Sequence, residues 1–143
     1  MAGQINKVFL IDDDPLSNMI SRSLLKKHHW QAEAVVFQDG PSALAVLRRA
    51  AAEASGAFPD IILLDMEMPA FDGWDFLQEY ALLPESHTTQ SLLYLLSSSI
   101  NPNDIRKAQS FPSVKAYLTK PLTLASLNQI QQDYQQLGMS NGE

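Results

Sequence analysis

Four short stretches carry side chains with distinctive chemistry: LIDDDP at residues 10–15, LDMEMPAFDG at 64–73, SSS at 97–99 and TKP at 119–121. Asp12, Asp13 and Asp65 offer three carboxylates, a donor set of hard oxygens that suits a divalent cation such as Mg²⁺ keeping part of its water shell. Adjacent carboxylates repel one another unless positive charge sits among them. A hydroxyl (Ser97) and an ammonium (Lys120) complete the group. Cation, ammonium and hydroxyl together suit a transferring phosphoryl group, whose charge spreads over its equatorial oxygens. The remaining requirement is a nucleophile, and a carboxylate serves by forming an acyl phosphate. Asp65 is the preferred nucleophile because it follows the most apolar run and opens a loop containing Pro69 and the Asp72–Gly73 turn pair. Taken alone, Asp65 also admits the less favoured reading of a helix cap or a solvated loop acid; its company argues further against that.

These residues need elements to position them. Short apolar runs occur at Val8–Ile11, Ala34–Phe37, Ile61–Leu64, Leu92–Leu96 and Ala116–Leu118, each bounded by polar or turn residues as buried strands are. IILL, at 61–64, is apolar throughout, the pattern of a strand covered on both faces of a parallel sheet. Helical spacing links Leu16, Ile20 and Leu24, then Ala43, Val46, Leu47 and Ala50, then Trp74, Leu77 and Tyr80. It also links Leu124, Leu127, Ile130, Tyr134 and Leu137. The alternation predicts an α/β doubly wound parallel sheet. Sites in such sheets lie beyond the carboxyl ends of the strands, where the five side chains above would meet.

Composition narrows the classes. The 143 residues suit one domain, with a core over about 5–137 and a frayed tail at 138–143. With 45% hydrophobic and 18% charged residues the chain can bury a core. A net charge of −6 without a basic patch disfavours nucleic acid. The absence of cysteine excludes disulfides and thiolate metal sites. No apolar run approaches a membrane span and the N-terminus has no signal core, so a soluble cytoplasmic protein is expected.

LIDDDP, PDIILLDMEMPAFDG, YLLSSS and AYLTKP, in this order and spacing, resemble the receiver domain of two-component response regulators. The resemblance runs from about Val8 to Leu137. It implies a flavodoxin-like sheet of five strands in the order 2-1-3-4-5 with five helices. It implies that Asp65 takes a phosphoryl group from a histidine kinase or histidine phosphotransfer protein. Asp12 and Asp13 would bind Mg²⁺, Asp13 more directly, with Asp65 and the backbone carbonyl of Glu67. Ser97 and Lys120 would hold phosphoryl oxygens, finding partners only in the phosphorylated state. Tyr117 would swing inward with Ser97, and the Lys120–Pro121 bond would be cis. The face of the fourth helix, fifth strand and fifth helix, roughly Asn103 to Leu137, would then bind a downstream protein. A monomer or a phosphorylation-dependent dimer is implied, with catalysis limited to the domain's own phosphorylation and dephosphorylation.

Some positions depart from the family pattern. Ser98 stands where alanine is common, and QSFPSVKAY replaces a glycine-containing turn before the fifth strand. The resemblance places Glu67 and Ser99 at positions that tune phosphoryl lifetime in that family. His28 and His29 suit a helix C-terminus, and Trp30 and Trp74 suit boundary packing. Asp14, ahead of Pro15, is expected to cap the first helix rather than bind metal. Two other readings stand beside the first: a degenerate receiver that binds without phosphorylation, and a Mg²⁺-dependent phosphohydrolase with an aspartate nucleophile. The hydrolase usually carries its nucleophile after the first strand and needs a cap to hold substrate.

Overall fold

Ile61–Asp65 (β3) is buried at every position and forms the centre of the fold. A computed structural model describes residues 4–53, 56–99 and 101–141. The other strands are Lys7–Ile11 (β1), Glu33–Phe37 (β2), Leu92–Ser97 (β4) and Val114–Thr119 (β5). All pair in parallel, in the order β2-β1-β3-β4-β5. Parallel strands need crossovers, supplied by Pro15–Lys27 (α1), Gly40–Ala52 (α2), Gly73–Tyr80 (α3), Glu85–Thr88 (α4) and Pro102–Gln109 (α5), while Leu124–Asn141 (α6) closes the chain.

Alternate strand residues face opposite sides, which divides the core in two. Phe9, Ile11, Ile62, Leu64, Leu93 and Leu95 meet residues of α2, α3 and α5 on one side. Val8, Leu10, Ile61, Leu63, Tyr94 and Leu96 meet Leu25 of α1 and Leu127 and Ile130 of α6 on the other. Truncating a fully buried leucine such as Leu63 to alanine would cost about 2–5 kcal/mol. Short polar caps start the helices near the carboxyl edge. Asp14, Asp39, Asp72 and Asn101 each accept a backbone N–H of the first turn, at 3.0, 2.7, 3.0 and 2.9 Å. Gly73 is required at the start of α3, because a Cβ there would lie 2.9 Å from the Met66 Cα and collide with the Met66 thioether.

The structure corrects several expectations. There are six helices rather than five among the described residues. The addition is α4, which has no side-chain cap and buries no residue, so no apolar period announced it. α6 continues through Gly138 to Asn141, where a frayed tail from 138 was expected. A single glycine costs only about 1 kcal/mol in a helix and no proline follows it. Residues 142–143 lie outside the described residues. Leu16 and Ile20 are 56% and 48% exposed, as is Leu124 at 46%, so they do not join the core. α1 instead turns Asn18 and Leu25 inward. No described helix is long and apolar enough to cross a membrane.

Candidate acidic site at the carboxyl edge

Strand ends bring the predicted residues together. Oxygens of Asp12, Asp13 and Asp65 lie within 4.8 Å of one another. Asp12 and Asp65 are 5% and 2% exposed, whereas Asp13 projects into solvent. The triplet therefore separates into three environments. Asp12 is anchored: its Oδ1 accepts the Asp14 amide at 3.0 Å and its Oδ2 accepts the Ser17 hydroxyl at 2.7 Å. Its backbone carbonyl accepts the buried Asn18 amide at 2.8 Å. Asp13 points outward beside it, and Asp14 caps α1 ahead of Pro15, as its sequence position predicts.

Lys120 enters from the end of β5, where its backbone N–H donates to the Ser97 carbonyl at 2.9 Å. Its Nζ lies 2.8 Å from Asp12 Oδ2 and 3.2 Å from Asp65 Oδ1. Lys120 thus has two partners without any phosphoryl group, which corrects the expectation that it acquires them only afterwards. The reason is electrostatic: two buried carboxylates meeting at strand ends need a cation, and among the described residues Lys120 is the one within reach. Ser97 is likewise occupied, since its Oγ donates to the Ser99 carbonyl at 2.9 Å and accepts the Ser99 amide at 3.2 Å. The Lys120–Pro121 peptide is cis.

These contacts divide the two buried acids. Burial pushes the Asp65 carboxyl up to about 6, with the neighbouring Asp12 charge adding to the rise and the Glu67 amide and Lys120 opposing it. Burial acts on Asp12 in the same sense. There it is outweighed by Lys120, the Asp14 amide and Ser17, leaving Asp12 below its ordinary value. Lys120 loses stability as a cation through burial but regains more from Asp12 and Asp65, so its pKa is raised.

Around this centre, Glu67 sends its side chain outward and accepts the Ser98 hydroxyl at 3.1 Å, while its amide donates to Asp65 Oδ1 at 3.2 Å. Tyr117 is half-buried on β5 and packs against the α2–α3 side of the core. Burial raises its hydroxyl pKa, with nearby Ser97 opposing the rise and Asp104, Glu67 and Asp65 reinforcing it, so that hydroxyl sits close to the site. Sequence reasoning missed Ser17 and Asn18. The signal was available: once Asp14 is the cap, these residues fall in the first turn, next to the strand end they support.

An oxygen-only cluster with a lysine between its buried members, on the carboxyl edge of a 2-1-3-4-5 sheet, defines the receiver class. The family model described as "Response regulator receiver domain" matches residues 8–132. The response regulator Rcp1 of Synechocystis sp. is 27% identical over 120 residues, covering 84% of this chain and 80% of that protein. A two-component response regulator from Cytophaga hutchinsonii superposes with a TM-score of 0.84 at 30% identity, covering 92% of this chain and 98% of that one. The bacteriophytochrome response regulator AtBRR superposes with a TM-score of 0.74 at 25% identity, over 92% and 94% of the two chains. The chain belongs to the receiver domain family of two-component response regulators.

Proposed function

We propose that Asp65 is a phosphoacceptor, charged by a histidine kinase or histidine phosphotransfer protein. The observation that carries this reading is the pairing of Asp65 with Lys120 at 3.2 Å inside a cluster of three carboxylates. In the step, an Asp65 oxygen attacks phosphorus, the P–O bond forms and the P–N bond to the donor histidine breaks. The imidazole nitrogen keeps the electron pair. Asp12, Asp13 and Asp65 fit a Mg²⁺ ion by their all-oxygen chemistry, with the Glu67 carbonyl as a further ligand. Such an ion would neutralise charge on the phosphoryl oxygens.

Lys120 would exchange its contact with Asp65 for a phosphoryl oxygen. Ser97 would leave Ser99 to donate to another, drawing Tyr117 with it. Interactions stronger in one state shift the population toward that state, and the output would be a changed face on α5, β5 and α6 for a downstream protein. A monomer, or a dimer formed on phosphorylation, fits this scheme. The domain would catalyse only its own phosphorylation and dephosphorylation, in the cytoplasm, without contacting nucleic acid or inserting in a membrane. Exposed Leu16 and Ile20 border a cleft that also contains Lys120 and Leu122, an apolar platform for the donor next to the acceptor.

The test is mass spectrometry after incubation with acetyl phosphate. The full chain is expected to gain one phosphoryl mass only with Mg²⁺, and Asp65→Asn to gain none. An adduct persisting in the variant would overturn the assignment. No adduct with partner binding intact would indicate a degenerate receiver, and steady hydrolysis of a phosphomonoester would indicate a phosphohydrolase.

A further inference from the structure

β2 lies at one side of the sheet, and among the described residues β1 is its one strand neighbour. The Glu33 amide donates to the Asn6 carbonyl, and the Phe37 carbonyl accepts the Asp12 amide, both toward β1. The N–H and C=O of one strand residue point to the same side, and successive residues alternate. Ala34 and Val36 therefore turn their backbone groups to the open side. Open strands of this kind are usually blunted by lysine, proline or a bulge. β5, at the other side of the sheet, has a register break against β4 and carries the exposed Lys115. β2 has none of these: EAVVF pairs with β1 in unbroken register and contains neither lysine nor proline.

Between β2 and α1 lies an open groove of about 680 Å³. Ala34 and Val36 line it from the strand, and Met19, Arg22 and Lys26, on one stripe of the helix, line it from the other side. Met19 is 57% exposed, and Arg22 and Lys26 are exposed as well. No acidic residue lines the groove, and neither cation forms an ion pair among the described residues. Glu33, the acid of β2, is paired instead with Lys7 at 3.9 Å. In a chain of net charge −6, two free cations over an apolar strip are a local reversal of the prevailing field.

These features define the occupant. An extended segment laid along β2 would exchange backbone hydrogen bonds with Ala34 and Val36, and every second side chain would face α1. We propose that β2 and the α1 groove bind an extended acidic segment of a partner protein by strand addition, its alternate carboxylates pairing with Arg22 and Lys26. Charge argues against a second copy of this chain. Antiparallel pairing of two β2 strands about a two-fold axis normal to the sheet puts both α1 helices on one face, where like charges of the two copies oppose each other. The groove shares no lining residue with the cleft beside Lys120, so its failure would leave the phosphoacceptor reading untouched.

The experiment titrates the full ¹⁵N-labelled chain with an end-blocked hexapeptide of alternating glutamate and valine, and in parallel with the same peptide carrying lysine for glutamate. The acidic peptide is expected to give saturable shifts centred on the amides of Ala34 and Val36, and to slow their hydrogen exchange. The lysine peptide is expected to bind about tenfold or more weakly, because attraction at two positions becomes repulsion. Arg22→Glu combined with Lys26→Glu should reverse that preference; both side chains are exposed, so the fold is expected to stand. Val36→Pro removes one outward N–H at a position where an edge strand tolerates proline, and should weaken the acidic peptide about fivefold or more. If that variant misfolds, the charge reversal alone decides. The absence of saturable shifts, equal binding of the two peptides, or binding indifferent to the charge reversal would overturn the proposal. Sedimentation showing a peptide-free dimer that Val36→Pro dissociates would make a second copy the occupant and would overturn it too.

Discussion

The Lys120 ammonium lies 3.2 Å from Asp65 Oδ1 and 2.8 Å from Asp12 Oδ2, so one cation joins the two buried acids across the ends of three strands. That contact stands where a metal ion and a phosphoryl oxygen would each compete. It makes the site a closed arrangement that would have to open for the proposed phosphotransfer.

Removing this competitor separates metal binding from phosphoryl handling. Lys120→Ala is expected to tighten Mg²⁺ about tenfold, because a positive charge within 4 Å of the carboxylates disappears. The same variant should take up phosphate from acetyl phosphate more slowly. Calorimetric titration with Mg²⁺ measures the first effect; an unchanged affinity would show that Lys120 does not compete for these oxygens.

Asp65 itself is expected to destabilise the metal-free fold at neutral pH. Its folded pKa is raised to about 6 from 3.8, so the folded state holds the proton more firmly than the unfolded chain does. The resulting stabilisation is complete below pH 3.8 and is lost as pH rises through 6. Asp65→Asn, similar in shape and uncharged, should therefore be more stable than wild type at pH 7 by on the order of 1–3 kcal/mol. The gain should fade below about pH 4, where both side chains are neutral. Urea unfolding at the two pH values without divalent metal measures it, and equal midpoints at pH 7 would contradict burial as the cause.

The aspartate triplet predicts two opposite phenotypes. Asp13→Ala removes an exposed carboxylate and should leave stability within about 0.5 kcal/mol while abolishing Mg²⁺-dependent phosphate uptake. Asp14→Ala removes the α1 cap, and with it the 3.0 Å bond from the Leu16 amide. It should cost about 1 kcal/mol and leave uptake nearly intact. Thermal unfolding together with the mass-spectrometric assay distinguishes them; matching behaviour in the two variants would refute the division.

Three tyrosines predict alkaline instability. Burial pushes Tyr80 up to about 12; burial followed by Asp60 does the same for Tyr134. Burial, and then the 2.7 Å bond to Asp133, raises Tyr94 above its ordinary value. Raised folded values mean stability that is complete below pH 10 and lost as pH climbs toward 12. Tyr94→Phe leaves the Asp133 carboxylate with the Gln129 amide at 2.9 Å and should cost about 1–3 kcal/mol at pH 8. The deficit should shrink above pH 10, where wild-type Tyr94 begins to lose its advantage. A deficit independent of pH would place the loss in packing alone.

Particular elements explain which features were legible in the sequence. β3 was, because a run apolar at every position has few homes other than the middle of a parallel sheet. Asp12, Asp65, Ser97 and Lys120 were, because each follows such a run and strand ends share one edge. The cap at Asp14 was, because the residue before a helix-starting proline has a narrow set of roles. α4 was not: a single turn that buries nothing leaves no period to read. The placing of Leu16 and Ile20 was not either. Spacing says that they share a face of α1, but rotation about the helix axis decides whether that face meets the sheet or solvent.

By itself, the order of amino acids determined the alternation of strands and helices, and with it the convergence of the acids, hydroxyl and lysine on one edge. These follow from hydrophobic period and chain direction, which are local properties. Tertiary structure alone decided that Lys120 bridges Asp12 and Asp65, and that Asp13 faces solvent while Asp12 does not. The physical reason is the same in each case. Distances of 3 to 5 Å between residues remote in sequence are set by how the layers pack, and burial, charge pairing and hydrogen-bond satisfaction depend on those distances.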